Sequence, residues 1–371
     1  MANDVCPTSS SRLTIDLGAI RANYHLLAER VAPAECAAVV KANAYGLGVA
    51  QVAPMLRDAG CRIFFVAQLA EAIALRDAIG ADGAIFILNG LDPGCEALCA
   101  ERGFLPVLNS ASQVERWHDH ARMRGEALPA ALQVDSGMSR LGLDMETVSV
   151  LAADADFARE VSLRLIMTHL ACADAPENPA NTAQLERFEA ARAYFPDVPA
   201  SIANSGGAFL PAGFRCDVAR AGVALYGVRP STLAGKLRPV AALSARVIQI
   251  REIAAGVGVG YGLDYVAPDQ RRLATIGIGY ADGWPRHLSS VGAAWHQGRR
   301  LPIVGRVSMD SMTIDISSLP GHALAEGDFV ELIGPSQSLD DVADDAGTIA
   351  YEILTSLGAR HQRRYVDGAQ Q

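Results

Sequence analysis

Residues 35–79 read ECAAVVKANAYGLGVAQVAPMLRDAGCRIFFVAQLAEAIALRDAI, and two periods alternate within them. The apolar runs Ala37–Val40 and Ile63–Val66 are short and nearly continuous, as expected of strands covered on both faces. Val49–Ala59 and Leu69–Ile79 instead place apolar residues three or four apart, the period of a helix with one buried face. The alternation extends in both directions. A helical pattern at Ala19–Val31 precedes it. Further apolar runs follow at Ala84–Leu88, Leu105–Leu108, Ala131–Val134, Leu163–Thr168, Ser201–Ala203 and Val223–Tyr226. Helical patterns at Ser112–Arg124 and Thr182–Tyr194 lie among them. Eight such strands alternating with helices over residues 17–230 predict a parallel (β/α)8 barrel; a doubly wound sheet shares the local pattern.

After Lys236 the texture changes. Leu243–Ile253, Ala274–Ile278, Leu301–Val307, Met312–Ile316 and Asp328–Ile333 read as strands separated by Gly, Pro and Asp turns. The expected division is an α/β barrel over 12–238 and a mainly β domain over 239–371. Leu13–Ile15, a strand pattern ahead of the first helix, has no place among the eight and is a candidate member of the second domain's sheet. No internal repeat or low-complexity tract is visible.

The 371 residues carry 41 acidic and 32 basic side chains, a net charge of −9. Half the chain is hydrophobic and 20% is charged, which excludes a disordered chain. No apolar run reaches the ~18 residues of a membrane helix, and the acidic balance argues against a nucleic-acid partner. The opening MANDVCPTSSS lacks the basic and apolar regions of a signal peptide and reads as a frayed tail. Cys6, Cys36, Cys61, Cys95, Cys99, Cys172 and Cys216 are odd in number and form no CxxC pair, so free thiols in a reducing, cytoplasmic compartment are expected. Only two residues are lysines, Lys41 and Lys236, so chemistry that needs a primary amine has two side-chain candidates.

In barrels of this kind the working residues sit where strands end. Lys41 follows a buried strand directly; a lysine in a loop is usually a solvated surface residue, but a partly desolvated amine has a lowered pKa and forms Schiff bases. VDSGMSRLG places Asp135, Ser136 and Arg140 at the fifth strand's exit, and MTHLACAD places His169 at the sixth. A lone histidine there is more often a satisfied core residue. IANSGG and DVARAGVALYG follow, with Asn204, Ser205, Arg220 and Gly222. Free N–H groups and a hydroxyl at the last strand ends make an anion site, and an ordinary helix cap leaves the same donors spare. In the second domain, GVGVGYGLDY holds Tyr261 but lacks dinucleotide-binding spacing. IGYADGWPR holds Tyr280, and GRVSMD holds Met309. No metal-ligand pattern appears.

Together VVKANAYG, VDSGMSRLG, MTHLACAD, ANSGG, DVARAGVALYG, VGYG, IGYADGW, GRVSMD and the late YEILT resemble, in order, the alanine racemases, a family of pyridoxal-phosphate enzymes. The resemblance implies racemisation of a small amino acid, L- and D-alanine, by a homodimer whose active sites are shared between one barrel and the partner's β domain. It implies that Lys41 carries the cofactor as a Schiff base and that Tyr261 is the second catalytic base, held near His169 of the other subunit. Tyr45, Ser205, Gly222, Val223 and Tyr351 match phosphate-binding positions, with Asn204 beside them, and Arg220 matches the arginine facing the pyridine nitrogen. Arg140 and the Met309 backbone match the groups that receive the substrate carboxylate, and Tyr280 matches a tyrosine lining access to the site. D-alanine supply for peptidoglycan or alanine catabolism would be the role. A broader racemase acting on serine, or a non-catalytic pyridoxal-phosphate-binding protein, are the alternatives; the latter resemble the barrel alone.

Three positions depart from the family pattern. Gln133 stands seven before Arg140 where relatives often carry a carbamylated lysine, Leu47 replaces a usual histidine, and Ser308 stands where cysteine is common. The first removes a charge that would orient Arg140.

Overall fold

The structure is a computed structural model that describes residues 9–368. The expected tail and Cys6 lie outside the described residues. Residues 20–238 form one compact unit; the segment ending at Ala19 and the residues from 239 onward form another.

In the first strand of the chain, β1 (Ser11–Asp16), alternate residues are buried, and helix α1 (Leu17–Val31) follows it. Eight short strands come next: β2 (Glu35–Val39), β3 (Ile63–Val66), β4 (Ala84–Ile87), β5 (Leu105–Leu108), β6 (Leu128–Gln133), β7 (Val161–Met167), β8 (Ala200–Ser201) and β9 (Val218–Ala221). They pair in parallel in the order β8-β7-β6-β5-β4-β3-β2-β9. Ala203 and Asp217 complete the circuit. The Asp217 N–H donates to Ala200 O (3.0 Å) and the Arg220 N–H to Ala203 O (2.9 Å). Near-continuous burial of IFFV, AIFI and LPVL explains why these runs lack strand-type alternation: one face fills the barrel and the other meets the helices.

The eighth strand is not Val223–Tyr226, as the apolar run suggests, but VARA at residues 218–221. Arg220 breaks the hydrophobic run yet is only 3% exposed. Val223–Tyr226 is buried as a 3-10 turn directly after the strand. Arg220 therefore lies within a barrel strand, and Gly222 marks its exit.

The other unit is built on a sheet of order β15-β14-β17-β10-β1-β18, with β13 and β16 branching from β10. Its strands are β10 (Ala241–Ile253), β11 (Gly258–Val259), β12 (Tyr265–Val266), β13 (Arg271–Ile276), β14 (Ala293–His296), β15 (Arg299–Pro302), β16 (Met312–Asp315), β17 (Phe329–Ile333) and β18 (Gln362–Val366). β1 lies between β10 and β18. The apolar run Leu301–Val307 is not one strand. β15 ends at Pro302, and Gly305 turns the chain with φ +73°. β11 and β12 form a separate hairpin whose tip is the 3-10 turn Tyr261–Leu263.

Candidate active site

Lys41 leaves β2 into an unusual turn. Ala42, Asn43, Ala44 and Tyr45 all have φ between 52° and 55°, so KANAY turns with left-handed helical geometry. Left-handed geometry costs L-residues roughly 1–2 kcal/mol each and persists only where the surroundings hold it. Here the Ala44 N–H donates to Val40 O (2.9 Å), the Gly46 N–H to Ala42 O (2.7 Å) and the Gly48 N–H to Asn43 O (2.9 Å). Asn43 Oδ1 accepts the Val49 N–H (2.8 Å). Glu71, in the first turn of the helix Leu69–Ile79, accepts the Ala42 N–H through Oε1 (2.6 Å). The turn swings the Tyr45 ring inward onto Tyr226 (centroids 4.7 Å apart), whose hydroxyl donates to Val39 O (3.0 Å).

The Tyr45 hydroxyl lies against Gly222. A Cβ at position 222 would stand 2.5 Å from it, so only glycine leaves the space. Ser205 Oγ accepts the Gly222 N–H (2.8 Å) and the Ala224 N–H (3.2 Å), which leaves its own O–H to donate elsewhere. Among the described residues the Val223 N–H has no protein acceptor. Asn204 commits its amide to protein: Oδ1 accepts the Gly207 N–H of its own turn (2.9 Å) and Nδ2 donates to Leu170 O in the loop after β7 (3.5 Å). A hydroxyl and a backbone N–H thus stand at adjoining strand exits beside the Tyr45 phenol, a donor set suited to a phosphate.

Arg220 is held from three sides. Nη1 donates to Ser201 O (3.0 Å) and Ser201 Oγ (2.5 Å); Nη2 donates to Thr168 O (2.7 Å) and lies 3.2 Å from His169 Nδ1. Guanidinium nitrogens only donate, so His169 Nδ1 is the acceptor and the ring proton sits on Nε2. Burial, with Arg220, Arg140 and Lys41 nearby, pushes the imidazole down to about 3. It is a neutral Nε2–H donor at neutral pH. Burial lowers Arg220 to about 10, which leaves it charged under the same conditions. Behind it, Thr168 Oγ1 donates to Val134 O (2.8 Å) and receives the Ser136 hydroxyl (2.8 Å). Gln184 Nε2 donates to His169 O (2.9 Å), fixing that loop.

The Lys41 amine is lowered by burial first, then by Arg140; Glu71 opposes this and Arg220 adds to it. Arg140 itself makes no hydrogen bond or ion pair to protein among the described residues. Gln133 does not reach it: its Nε2 donates to Leu141 O (3.3 Å). Arg140 and Arg220 thus both act on Lys41, and Glu71 is the carboxylate that opposes them there. Lys236, by contrast, is exposed.

Four further residues named from the sequence lie in the second unit. Tyr261 projects from the hairpin tip, 70% exposed. Tyr280 and Met309 belong to adjoining loops that exchange backbone hydrogen bonds. The Tyr280 N–H donates to Ser308 O (3.1 Å) and the Ala281 N–H to Met309 O (3.0 Å). A Cβ at Gly279 would collide with Ser308 O at 2.3 Å, so the approach requires glycine. Arg360 bridges Asp282 (3.1 Å) and Asp310 (2.7 Å), bracing the same loops. Tyr351 sits on the helix Ala350–Ser356. The sequence reading missed Glu71, Ser201, Thr168 and Gln184, all of which hold named residues in place.

Comparison with known proteins gives the family. Residues 15–230 match the alanine racemase N-terminal domain and residues 240–365 the alanine racemase C-terminal domain. The chain is 53% identical to the catabolic alanine racemase of Mesorhizobium japonicum over 357 residues, covering 96% of this chain and 93% of the relative. It is 50% identical to the catabolic alanine racemase of Agrobacterium fabrum over 359 residues, covering 96% and 92%. The crystal structure of alanine racemase from Bartonella henselae with covalently bound pyridoxal phosphate superposes with a TM-score of 0.93 at 44% identity, covering 96% of this chain and all of that one. The chain belongs to the alanine racemase family.

Proposed function

We propose that this chain interconverts L-alanine and D-alanine with pyridoxal phosphate as cofactor. Two bases would act: Lys41 and Tyr261 of the partner subunit. The observation that carries the reading is the Ser205 hydroxyl at the exit of β9, beside the Tyr45 phenol and next to β2, the strand that Lys41 leaves.

Those donors fit the cofactor's charge and shape. Tyr45, Ser205, Gly222 and Val223, with Tyr351 of the second domain, would hold the phosphate. Arg220 would face the pyridine nitrogen. The bound cofactor supplies an electron sink that makes the substrate Cα–H acidic. A charged arginine donates and does not accept, so it keeps that sink modest and limits side reactions. Lys41, its pKa lowered, supplies the amine that holds the cofactor and then a base on one side of Cα. Tyr261 supplies the proton or takes it on the other side. His169 offers it a neutral Nε2–H rather than a positive charge. Arg140 and the Met309 backbone receive the carboxylate, and Tyr280 lines access to the site.

The two-base reading calls for a homodimer with shared sites, and no helix of the described residues is long and apolar enough to cross a membrane. A cytoplasmic enzyme is proposed. The two relatives named catabolic favour alanine breakdown over D-alanine supply for peptidoglycan. The test is a chiral assay of purified protein against alanine, serine, lysine and arginine. Fastest turnover of alanine in both directions supports the proposal; turnover of another amino acid with alanine inert, or of none, refutes it.

A further inference from the structure

We infer that Glu71 is the positioning residue for Lys41, fixing the turn into which it opens and supplying the carboxylate that opposes two neighbouring arginines. The inference rests on the proposed role of Lys41. Glu71 reaches two chain segments at once. Oε1 accepts the Ala42 N–H (2.6 Å), and Oε2 accepts the Ala67 (2.7 Å) and Gln68 (3.1 Å) N–H groups. Ala42 follows Lys41 and is the first of the four left-handed residues. The Ala44, Gly46, Gly48 and Val49 N–H bonds run within residues 40–49, and Glu71 ties the turn to the neighbouring strand exit. A helix cap alone explains Oε2 but not Oε1, because the cap residues are Ala67 and Gln68.

The second part is electrostatic. The charged groups acting on Lys41 are Arg140, Arg220 and Glu71, and Glu71 alone among them favours the ammonium form. A carboxylate that accepts three N–H bonds from two chain segments is held in place and cannot swing away. Its position therefore sets both the start of the Lys41 turn and how readily the amine loses its proton.

The two-lysine composition makes the test clean, because Lys236 is an exposed internal control. Full-length wild type and Glu71→Gln, freed of cofactor with hydroxylamine, are modified with an amine-reactive reagent across a pH series. Extents at Lys41 and Lys236 are read by peptide mass. The same variant, loaded, gives a pH profile of kcat. Glu71→Gln loses the charge, and its amide presents an N–H donor to one of the two segments. The expected result is a fall of about half a pH unit or more in the Lys41 midpoint, with the Lys236 midpoint unmoved and the acid limb of the kcat profile shifted the same way. Glu71→Asp, which keeps the charge, should leave the midpoint near the wild-type value. A Lys41 midpoint unchanged in Glu71→Gln overturns the inference, even if thermal stability falls. If that variant fails to fold, hydrogen exchange in the wild type decides: a slow Ala42 amide supports the bond, and a fast one overturns it. Borohydride labelling of wild-type Lys41 is separate, so the role of Lys41 can stand while that of Glu71 falls.

Discussion

Replacing Gly222 by alanine perturbs the cofactor seat at one atom. The added Cβ would lie 2.5 Å from the Tyr45 hydroxyl, 3.4 Å from Cζ and 3.7 Å from Val39 Cβ. Carbon–oxygen contacts relax to roughly 3.3 Å, so the hydroxyl must retreat by about 0.8 Å. The ring has little room to move, because Tyr226 packs 4.7 Å away and is itself tied to Val39 O. Overpacking of this kind costs about 1–3 kcal/mol. Moving the phenol out of reach also removes a hydrogen bond to a charged phosphate, worth about 1.5–3 kcal/mol, or roughly 10- to 150-fold in cofactor affinity. Absorbance titration of cofactor-free protein with pyridoxal phosphate measures the loss. A double-mutant cycle isolates its cause. In Tyr45→Phe the offending oxygen is gone and the nearest contact is an ordinary 3.4 Å, so adding Gly222→Ala should cost little more. An unchanged affinity in Gly222→Ala, or an equal further loss in the Tyr45→Phe background, would show that the Tyr45 hydroxyl is not what the added Cβ displaces.

Three other outcomes are expected. Tyr261→Phe should bind cofactor normally yet lose Cα proton exchange for one enantiomer far more than for the other in deuterated water; equal loss for both contradicts a two-base division. The pH dependence of stability should carry the mark of His169, whose folded pKa of about 3 lies below the ~6.5 of an unfolded histidine. The unfolded chain takes up a proton below pH 6.5 that the folded chain refuses until near pH 3. The His169 contribution is therefore full above 6.5 and declines as pH falls through that window. Urea unfolding at pH 7.5 and 5.5 should show wild type losing about 1.4 kcal/mol more than His169→Gln; equal losses refute the buried neutral imidazole. Arg140→Lys should raise KM for alanine at least tenfold with a smaller change in kcat, because an ammonium cannot receive a carboxylate in bidentate fashion. A change confined to kcat would place Arg140 elsewhere in the reaction.

Most barrel strands were legible because burial on both faces forces compact apolar runs such as IFFV and AIFI. The eighth strand escaped because Arg220 interrupts its run, and the buried 3-10 turn after it imitates a strand in composition. The short strand Ala293–His296 and the helices Met145–Ala153 and Ala155–Glu160 are too brief to show a period. Lys41 was legible from its place one residue beyond a buried strand. Its supports were not. Nothing in KANAY announces four left-handed residues, since alanine ordinarily favours the right-handed form. Glu71 looks like any acid in a helix's first turn, and its bond to Ala42 spans 29 residues. Ser201 and Thr168 look like ordinary strand residues until Arg220 is seen between them.

Lys41 is proposed as the amine that holds the cofactor, and the chain offers only Lys236 as a side-chain competitor. Purified protein loaded with pyridoxal phosphate should be reduced with borohydride, digested and mapped by mass. The pyridoxyl adduct is expected on the peptide containing Lys41, with the Lys236 peptide unmodified. An adduct on Lys236, or on neither lysine, would contradict it.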